Sequence, residues 1–266
     1  MLNAQLTQVV NEVFYDPNVG PPVAGYPAGY VTYRVYAELN DPADFVSSVF
    51  AVNGCHTLQV NGNNAIWNDG FGATLGEAIN IAFCGFVPSL CYDSYLTIGR
   101  APGDPGNAVG IVASCPLPSV FVSSFGTAAS APNLNVCDGA VYAIIGDPNG
   151  FGVGPNNRVL LFQATVPAGT LQYNLNLQVF DNGVGANEIR YVWNSANVGC
   201  ASPTEENGEC LGLIFPEPGL CLLEPNDLCT NAIDVSCGDA VSGSTVNATP
   251  DGAPVCGVSQ NTNGVW

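Results

Sequence analysis

The residues with the clearest potential for chemistry are eleven cysteines and a single histidine, His56, which directly follows Cys55. A cysteine and a histidine can act together as nucleophile and base only if their side chains converge. Adjacent residues of a strand point to opposite faces, so these two should diverge. We therefore predict that Cys55 forms a disulfide and that His56 is a polar surface residue. A serine hydrolase would need the same histidine, and the chain has no Gly-x-Ser-x-Gly motif.

Carboxylate pairs are the second candidate for catalysis. A glycosidase needs two carboxyl groups roughly 5–10 Å apart in a cleft. Glu38 with Asp41, or Asp44 with Asp93, could supply them. Glu38 lies on the predicted solvent face of its strand, however, and Asp41 and Asp44 are typical turn formers. We therefore predict no catalytic residues and a protein that is not an enzyme.

The cysteines and the acidic loops contain the residues that could bind a metal ion. Zinc is disfavoured because no Cys-x-x-Cys spacing occurs and only one imidazole is available. Calcium accepts the hard oxygen ligands found in loops rich in Asn and Gly. We predict no metal ligand and no cofactor, and a structural calcium ion stays open as an alternative. The acidic residues that could hold it are Asp41, Asp44, Asp69, Asp181 and Glu188.

The density of cysteine indicates disulfide bonds formed in an oxidising compartment. Because eleven is an odd number, at least one cysteine has no partner within this chain. Cys229 and Cys237 are eight residues apart, a separation that suits a bridge across a tight strand and turn, so we predict that they are paired. The other predicted pairs are Cys91–Cys115 and Cys200–Cys210, and Cys256 is predicted to be the residue without a partner.

The charge balance excludes several classes of partner. The chain has no lysine, four arginines and 22 acidic residues, for a formal net charge of −18. A field of that sign repels phosphate backbones and anionic membrane surfaces, so we predict no nucleic-acid binding. No apolar stretch reaches the roughly 18 residues of a membrane-spanning helix, so we predict no membrane insertion.

Alternating hydrophobicity predicts the strands that must position any site. In the segment Tyr30–Leu39, Val31 and every second residue after it should face a core, and the intervening residues should face water. The turn at 40–44 precedes a second predicted strand, Phe45–Val52. The segment Tyr92–Gly99 has the same character.

About ten such segments separated by turns predict an all-β fold, an antiparallel, jelly-roll-like β-sandwich. The clearest alternation, Leu171–Val179, predicts one continuous strand, and Ser119–Phe125 predicts a weaker one. Thr74-Leu-Gly-Glu77 matches a capping box and predicts one short helix over 78–83.

Composition also divides the chain. We predict a sandwich module over residues 1–198, a linker rich in cysteine and proline over 199–224, and the beginning of a second β-sandwich module over 225–266. The second module would stop at Trp266 in mid-pattern. We therefore expect this chain to be the N-terminal part of a longer protein.

Four motifs follow one another in the first predicted module: Tyr33–Tyr36, Asp44–Ser47, Gly72–Thr74 and Tyr92–Gly99. Their order resembles modules of large secreted proteins of marine Bacteroidetes-like bacteria, of the adhesin or appendage type and exported by type IX secretion. The segment 224–266 resembles the start of a second module of that group. The resemblance implies an extracellular, multi-domain cell-surface protein and supplies no catalytic residues.

These observations predict a non-enzymatic structural or adhesive subunit of a cell-surface appendage or filament. Without lysine, its sheet edges lack a common protection against pairing with other chains. The first strand, Leu6–Tyr15, precedes a loop rich in proline and glycine, and could pair within its own sheet or be donated to a neighbour. We therefore predict a homo-oligomer. The interface residues would be Leu6, Val9, Val13, Tyr30 and Tyr36.

Surface glycans or other cells are further predicted partners. The alternative function is a carbohydrate-binding module attached to a secreted enzyme, with Trp67 or Trp193 stacking on a sugar ring.

Overall fold

The computed structural model describes residues 5–193, 204–208 and 210–218. This part of the chain is an antiparallel β-sandwich, as the sequence predicts. Its strands are β1 (Leu6–Tyr15), β2 (Tyr30–Leu39), β3 (Phe45–Ala51), β4 (Leu58–Asn61), β5 (Tyr95–Leu96), β6 (Gly110–Cys115), β7 (Leu134–Val136), β8 (Asp138–Tyr142), β9 (Arg158–Pro167), β10 (Gln172–Asn174), β11 (Leu177–Phe180), β12 (Glu188–Val192), β13 (Glu205–Asn207) and β14 (Ile214–Phe215).

The strands form three sheets. Sheet I has the order β1-β2-β9-β5, sheet II the order β13-β12-β11-β3-β8-β6, and sheet III the order β14-β10-β4-β7. Neighbouring strands pair antiparallel except β12 and β13, which are parallel. All three sheets contribute to one hydrophobic core, for example through Val35, Val49 and Val60. A second, smaller cluster surrounds Leu160 and includes Ile79, Leu90 and Tyr95.

Strand β2 has the predicted bounds, but its alternation is incomplete. Thr32 and Glu38 are buried, whereas the alternation predicts that they face water. The Thr32 hydroxyl lies 2.7 Å from that of Thr165 on β9, and Glu38 accepts a hydrogen bond from Arg158. Other segments cover both faces of this central strand, so an alternating sequence does not imply a solvent-exposed side.

The predicted single strand 171–179 is two strands in two different sheets. β10 belongs to sheet III and β11 to sheet II. At the break, the buried Asn176 amide donates to the carbonyl oxygens of Phe50 and Thr57, at 2.9 and 3.0 Å. It thereby satisfies backbone groups that lose their ladder partners where β3 leads into β4. The alternation is correct for the apolar residues, which are all buried.

The predicted helix over 78–83 is wrong. This region forms short 3₁₀ turns at Gly76–Ala78, Ile81–Gly85 and Pro88–Tyr92. Glu77 does not complete a capping box, because its carboxylate accepts hydrogen bonds from Arg100 and from the Val109 amide.

Within the described residues, the only α-helix is α1 (Ser119–Ser124), where a strand was predicted. Phe121 and Phe125, four residues apart, are both fully buried. Residues four apart lie on the same side of an α-helix, so a helix buries both rings, which explains why this segment is a helix and not a strand.

The chain divides into two compact units, Met1–Pro216 and Glu217–Trp266. The predicted linker, 199–224, includes β13 and β14, which pair within sheets II and III. The predicted second module, 225–266, lies outside the described residues. No helix in the described part of the chain is long and apolar enough to cross a membrane.

Candidate functional site

Cys84–Cys91 and Cys115–Cys137 are disulfides of the described region. The predicted pair Cys91–Cys115 is therefore wrong, although both residues are oxidised. A disulfide needs Cα atoms about 4.4–6.8 Å apart. Cys115 meets this condition with Cys137 at 5.2 Å, because β6 and β8 pair there. Cys91 meets it with Cys84 at 5.6 Å, in the neighbouring 3₁₀ turn.

Cys55 and Cys210 are also disulfide-bonded. Cys55 is thus unavailable as a nucleophile, as predicted. The disulfides indicate an oxidising environment. The remaining predictions of this kind concern Cys200, Cys229, Cys237 and Cys256, which lie outside the described residues.

His56 is buried, so its predicted surface position is wrong. Its imidazole Nε2 lies 3.3 Å from Oε1 of Glu205, on β13. Its backbone pairs with Val52 in the turn that follows β3. The contact with Glu205 depends on a strand 149 residues further along the chain, which local sequence could not reveal.

The carboxylates proposed as pairs belong to separate networks. Burial opposes ionisation of Glu38, but hydrogen bonds from Gln8, Arg158 and Asn156 lower the pKa of this carboxyl. Asp41 accepts a hydrogen bond from the Ala43 amide of its own turn, at 2.8 Å. Glu38 therefore acts in a structural network of β1, β2 and β9.

The calcium candidates are likewise engaged with protein groups. Asp44 is fully buried and accepts backbone hydrogen bonds from Asp41 and Asn182, and burial raises the pKa of its carboxyl. Asp181 accepts a hydrogen bond from the Gln5 side-chain amide at 3.0 Å, and Glu188 pairs with Arg190. Among the described residues, no three His, Cys, Asp or Glu side chains cluster as metal ligands would.

A buried pair of aspartates organises the loop after Trp67. Asp93 accepts hydrogen bonds from the backbone amides of Asp69 (2.7 Å) and Ala73 (3.0 Å). Asp69 in turn accepts from the amide of Phe71 (2.9 Å) and from the Ser89 hydroxyl (2.6 Å). Burial raises the pKa of Asp93 to about 8, despite these backbone donors. The network fixes the backbone of residues 69–73.

This fixed loop carries one member of an exposed apolar patch. The Phe71 ring is stacked on Phe83, with centroids 6.5 Å apart. Ile81 belongs to the same 3₁₀ turn as Phe83, and Phe86 directly follows that turn. We call these four exposed residues the apolar patch. The exposed fractions are 67% for Phe71, 45% for Ile81, 48% for Phe83 and 86% for Phe86.

The apolar patch is held in place without burial of its own side chains. The 3₁₀ turn Ile81–Gly85 contains no buried residue. Instead, Asn80 caps it by accepting a hydrogen bond from the Ala82 amide at 3.1 Å, and the Cys84–Cys91 disulfide joins it to the next turn. The sequence predicts that Ile81 and Phe83 belong to a helix. The local signal for an exposed turn is Cys84 between Phe83 and Phe86, in a segment, 78–88, without a charged residue.

The predicted interface residues of the N-terminal strand lie in two environments. Leu6 and Val9 are buried in the core of their own module, whereas Val13 is exposed. β1 pairs with β2 along its length, and the Tyr191 hydroxyl accepts hydrogen bonds from the amides of Gln5 and Leu6. The strand is therefore docked within its own sheet, and Leu6 and Val9 are core residues.

The predicted aromatic surface is mostly packed. Tyr30 and Tyr36 are half-buried, and the Arg158 guanidinium lies 5.5 Å from the centroid of the Tyr36 ring. Trp67 is buried, so it is not available to stack on a sugar, and Trp193 is half-buried.

Comparisons with protein-family models, with curated proteins and with solved structures find no match to this chain.

Proposed function

We propose that this chain is a non-enzymatic extracellular structural subunit, of the kind used in cell-surface appendages, which assembles with further copies of itself through the apolar patch. The observation that carries the proposal is a turn with no buried residue that nevertheless has a fixed shape. A cap and a disulfide hold this turn with Phe83, and the buried aspartate pair holds the loop that carries Phe71. Exposed apolar surface of this kind is typical of protein interaction sites.

Electrostatics favours a second copy as the partner. Two chains of net charge −18 repel each other, so the electrostatic cost of association is lowest where neither contact surface carries a charge. The segment 78–88 contains no charged residue. Two copies could bury their rings there while keeping their acidic surfaces in solvent. We therefore place the proposed interface at the apolar patch and not at β1, which is docked in its own sheet.

The oxidised cysteines support placement outside the cell, because disulfides persist in oxidising compartments. The resemblance of the sequence motifs to secreted surface modules points the same way.

Sedimentation velocity at low and high salt tests the proposal. We expect wild-type chains to associate, and to do so more tightly at high salt, because ions screen the mutual repulsion. Replacing Phe83 and Phe86 together with serine should weaken association at least about 10-fold, since each ring is a large apolar contact. Both side chains are exposed, so the variant should unfold at the same denaturant concentration as wild type.

The matched control replaces Leu117 and Val122, two exposed apolar residues elsewhere on the module, with serine. This control should associate like wild type. A wild-type protein that stays monomeric at every salt concentration, or an equal loss in both variants, would contradict assembly through the apolar patch.

A further inference from the structure

We infer that the outer face of sheet III binds a neutral oligosaccharide. β4 and β10 each alternate an inward apolar residue with an outward amide. Gln172 lies opposite Asn61 in the antiparallel register, and Asn174 lies opposite Gln59. The four amides thus form a two-by-two array on adjacent strands.

The array lies in a concave surface. One groove, of about 360 Å³, is lined by these amides and by the neighbouring strand β14, through Ile214 and Phe215, together with Pro216. A second groove, of about 250 Å³, adjoins it at Asn61 and Gln172 and continues to Asn63 and Thr170. The volume of the first groove by itself falls within the range of small-ligand sites, about 300–1,000 Å³.

The chemistry of the lining selects an uncharged, hydroxyl-rich ligand. Neither groove is lined by a charged side chain, although the chain has 22 acidic residues. An amide side chain offers two donors and an acceptor, which matches sugar hydroxyls that both donate and accept. A polyanion would find no cationic side chain to pair with in either groove, and the net negative charge of the chain would repel it.

Unfulfilled hydrogen bonds distinguish this face from an ordinary solvated sheet. Oδ1 of Asn174 is buried and has no hydrogen-bond partner. The Asn61 amide donates to Gln172 at 3.4 Å, and Gln59 donates to Asn135 at 3.3 Å, both longer than usual. The two long contacts, unlike the buried Asn174 oxygen, lie between exposed side chains, so ligand hydroxyls could replace them with little loss of free energy.

The apolar residue that β14 contributes to the amide face is Ile214, which lies opposite the outward Asn174 in the antiparallel register. It offers an apolar contact for the C–H face of a sugar. Phe215 lies opposite the inward Tyr173 and stacks on it, with centroids 5.6 Å apart, so it packs against the core and fixes β14 in place. This inference does not depend on assembly through the apolar patch, whose residues are different.

Isothermal titration with cellohexaose, mannohexaose and chitohexaose, and with a polyguluronate hexamer as the charged comparison, tests the site. We expect at least one neutral hexasaccharide to bind the full chain with a Kd of about 1 mM or tighter, and the polyuronate not to bind. Replacing Asn61 and Gln172 together with alanine should weaken that binding at least about 10-fold, because both grooves lose lining amides.

The control replaces Asn18, an amide in the loop after β1, with alanine and should bind like wild type. Urea unfolding of each variant shows that the fold is retained. The inference is overturned if no neutral hexasaccharide binds, if the polyuronate binds equally well, or if the double variant keeps full affinity. It is also overturned if the double variant changes only self-association, which would make the face a contact between copies.

Discussion

Replacing Asp93 with asparagine is expected to remove a pH-dependent loss of stability from this protein. Burial raises the pKa of this carboxyl to about 8 in the folded chain, against its ordinary value of 3.8. Between those pH values the folded state holds a proton that the unfolded state has released. The free energy of unfolding should therefore fall as pH rises through this window, by up to about 1.4 kcal/mol per pH unit from this group.

The measurement compares urea unfolding of wild type and Asp93→Asn at several pH values from 4 to 9. Asparagine cannot ionise, so the variant should gain stability relative to wild type as pH rises. Its amide nitrogen would face the Ala73 donor, which adds a constant penalty that does not depend on pH. Titrating groups that do not interact with Asp93 are common to both proteins and cancel in the difference.

Asp41→Asn is the matched control, because it makes the same chemical substitution at an exposed turn. Its stability relative to wild type should vary much less with pH. The opposite result would be that wild type becomes more stable relative to Asp93→Asn as pH rises. In that case the backbone donors outweigh the effect of burial, and Asp93 is ionised in the folded chain. That result would contradict the prediction directly.

Removing the Cys115–Cys137 disulfide is expected to lower the free energy of unfolding by about 3 kcal/mol. The bond closes a loop between residues separated by 22 positions, which includes α1 with its buried Phe121. Without it, the unfolded chain gains the entropy of that loop. The measurement is denaturant unfolding of Cys115→Ala/Cys137→Ala, in which no single thiol is left to pair wrongly.

The second disulfide provides the comparison. Cys84 and Cys91 are separated by seven positions, so Cys84→Ala/Cys91→Ala should cost less, about 2.5 kcal/mol. It should also weaken self-association, because the apolar patch loses its main constraint. If the Cys115–Cys137 variant is as stable as wild type, loop closure is not what this bond contributes. If the Cys84–Cys91 variant costs more, the strength of these bonds does not follow loop length.

Local sequence was sufficient for the fold class and for many of the strands. Strand β2 was predicted with its bounds, and the buried apolar residues of 171–179 were identified correctly. These features are local, because a half-buried strand has a period of two residues wherever it lies. The abundance of cysteine likewise indicated disulfides, since their presence follows from composition even where their partners do not.

Which segments cover one another depends on the tertiary structure instead. Glu38 and Thr32 are buried because further segments pack over β2, and His56 is buried against a strand distant in sequence. The break at Asn176 exists because β10 and β11 join different sheets. Disulfide partners followed from which Cα atoms the fold brings close.

Tertiary structure likewise determines both proposed sites, which is why local sequence did not predict them. Phe83 and Phe86 look like core residues until the fold leaves them outside. Asn61 and Gln172 look like ordinary outward residues until the register of β4 and β10 places them side by side in a groove. Burial, register and concavity are relations between distant segments, and a local pattern cannot specify them.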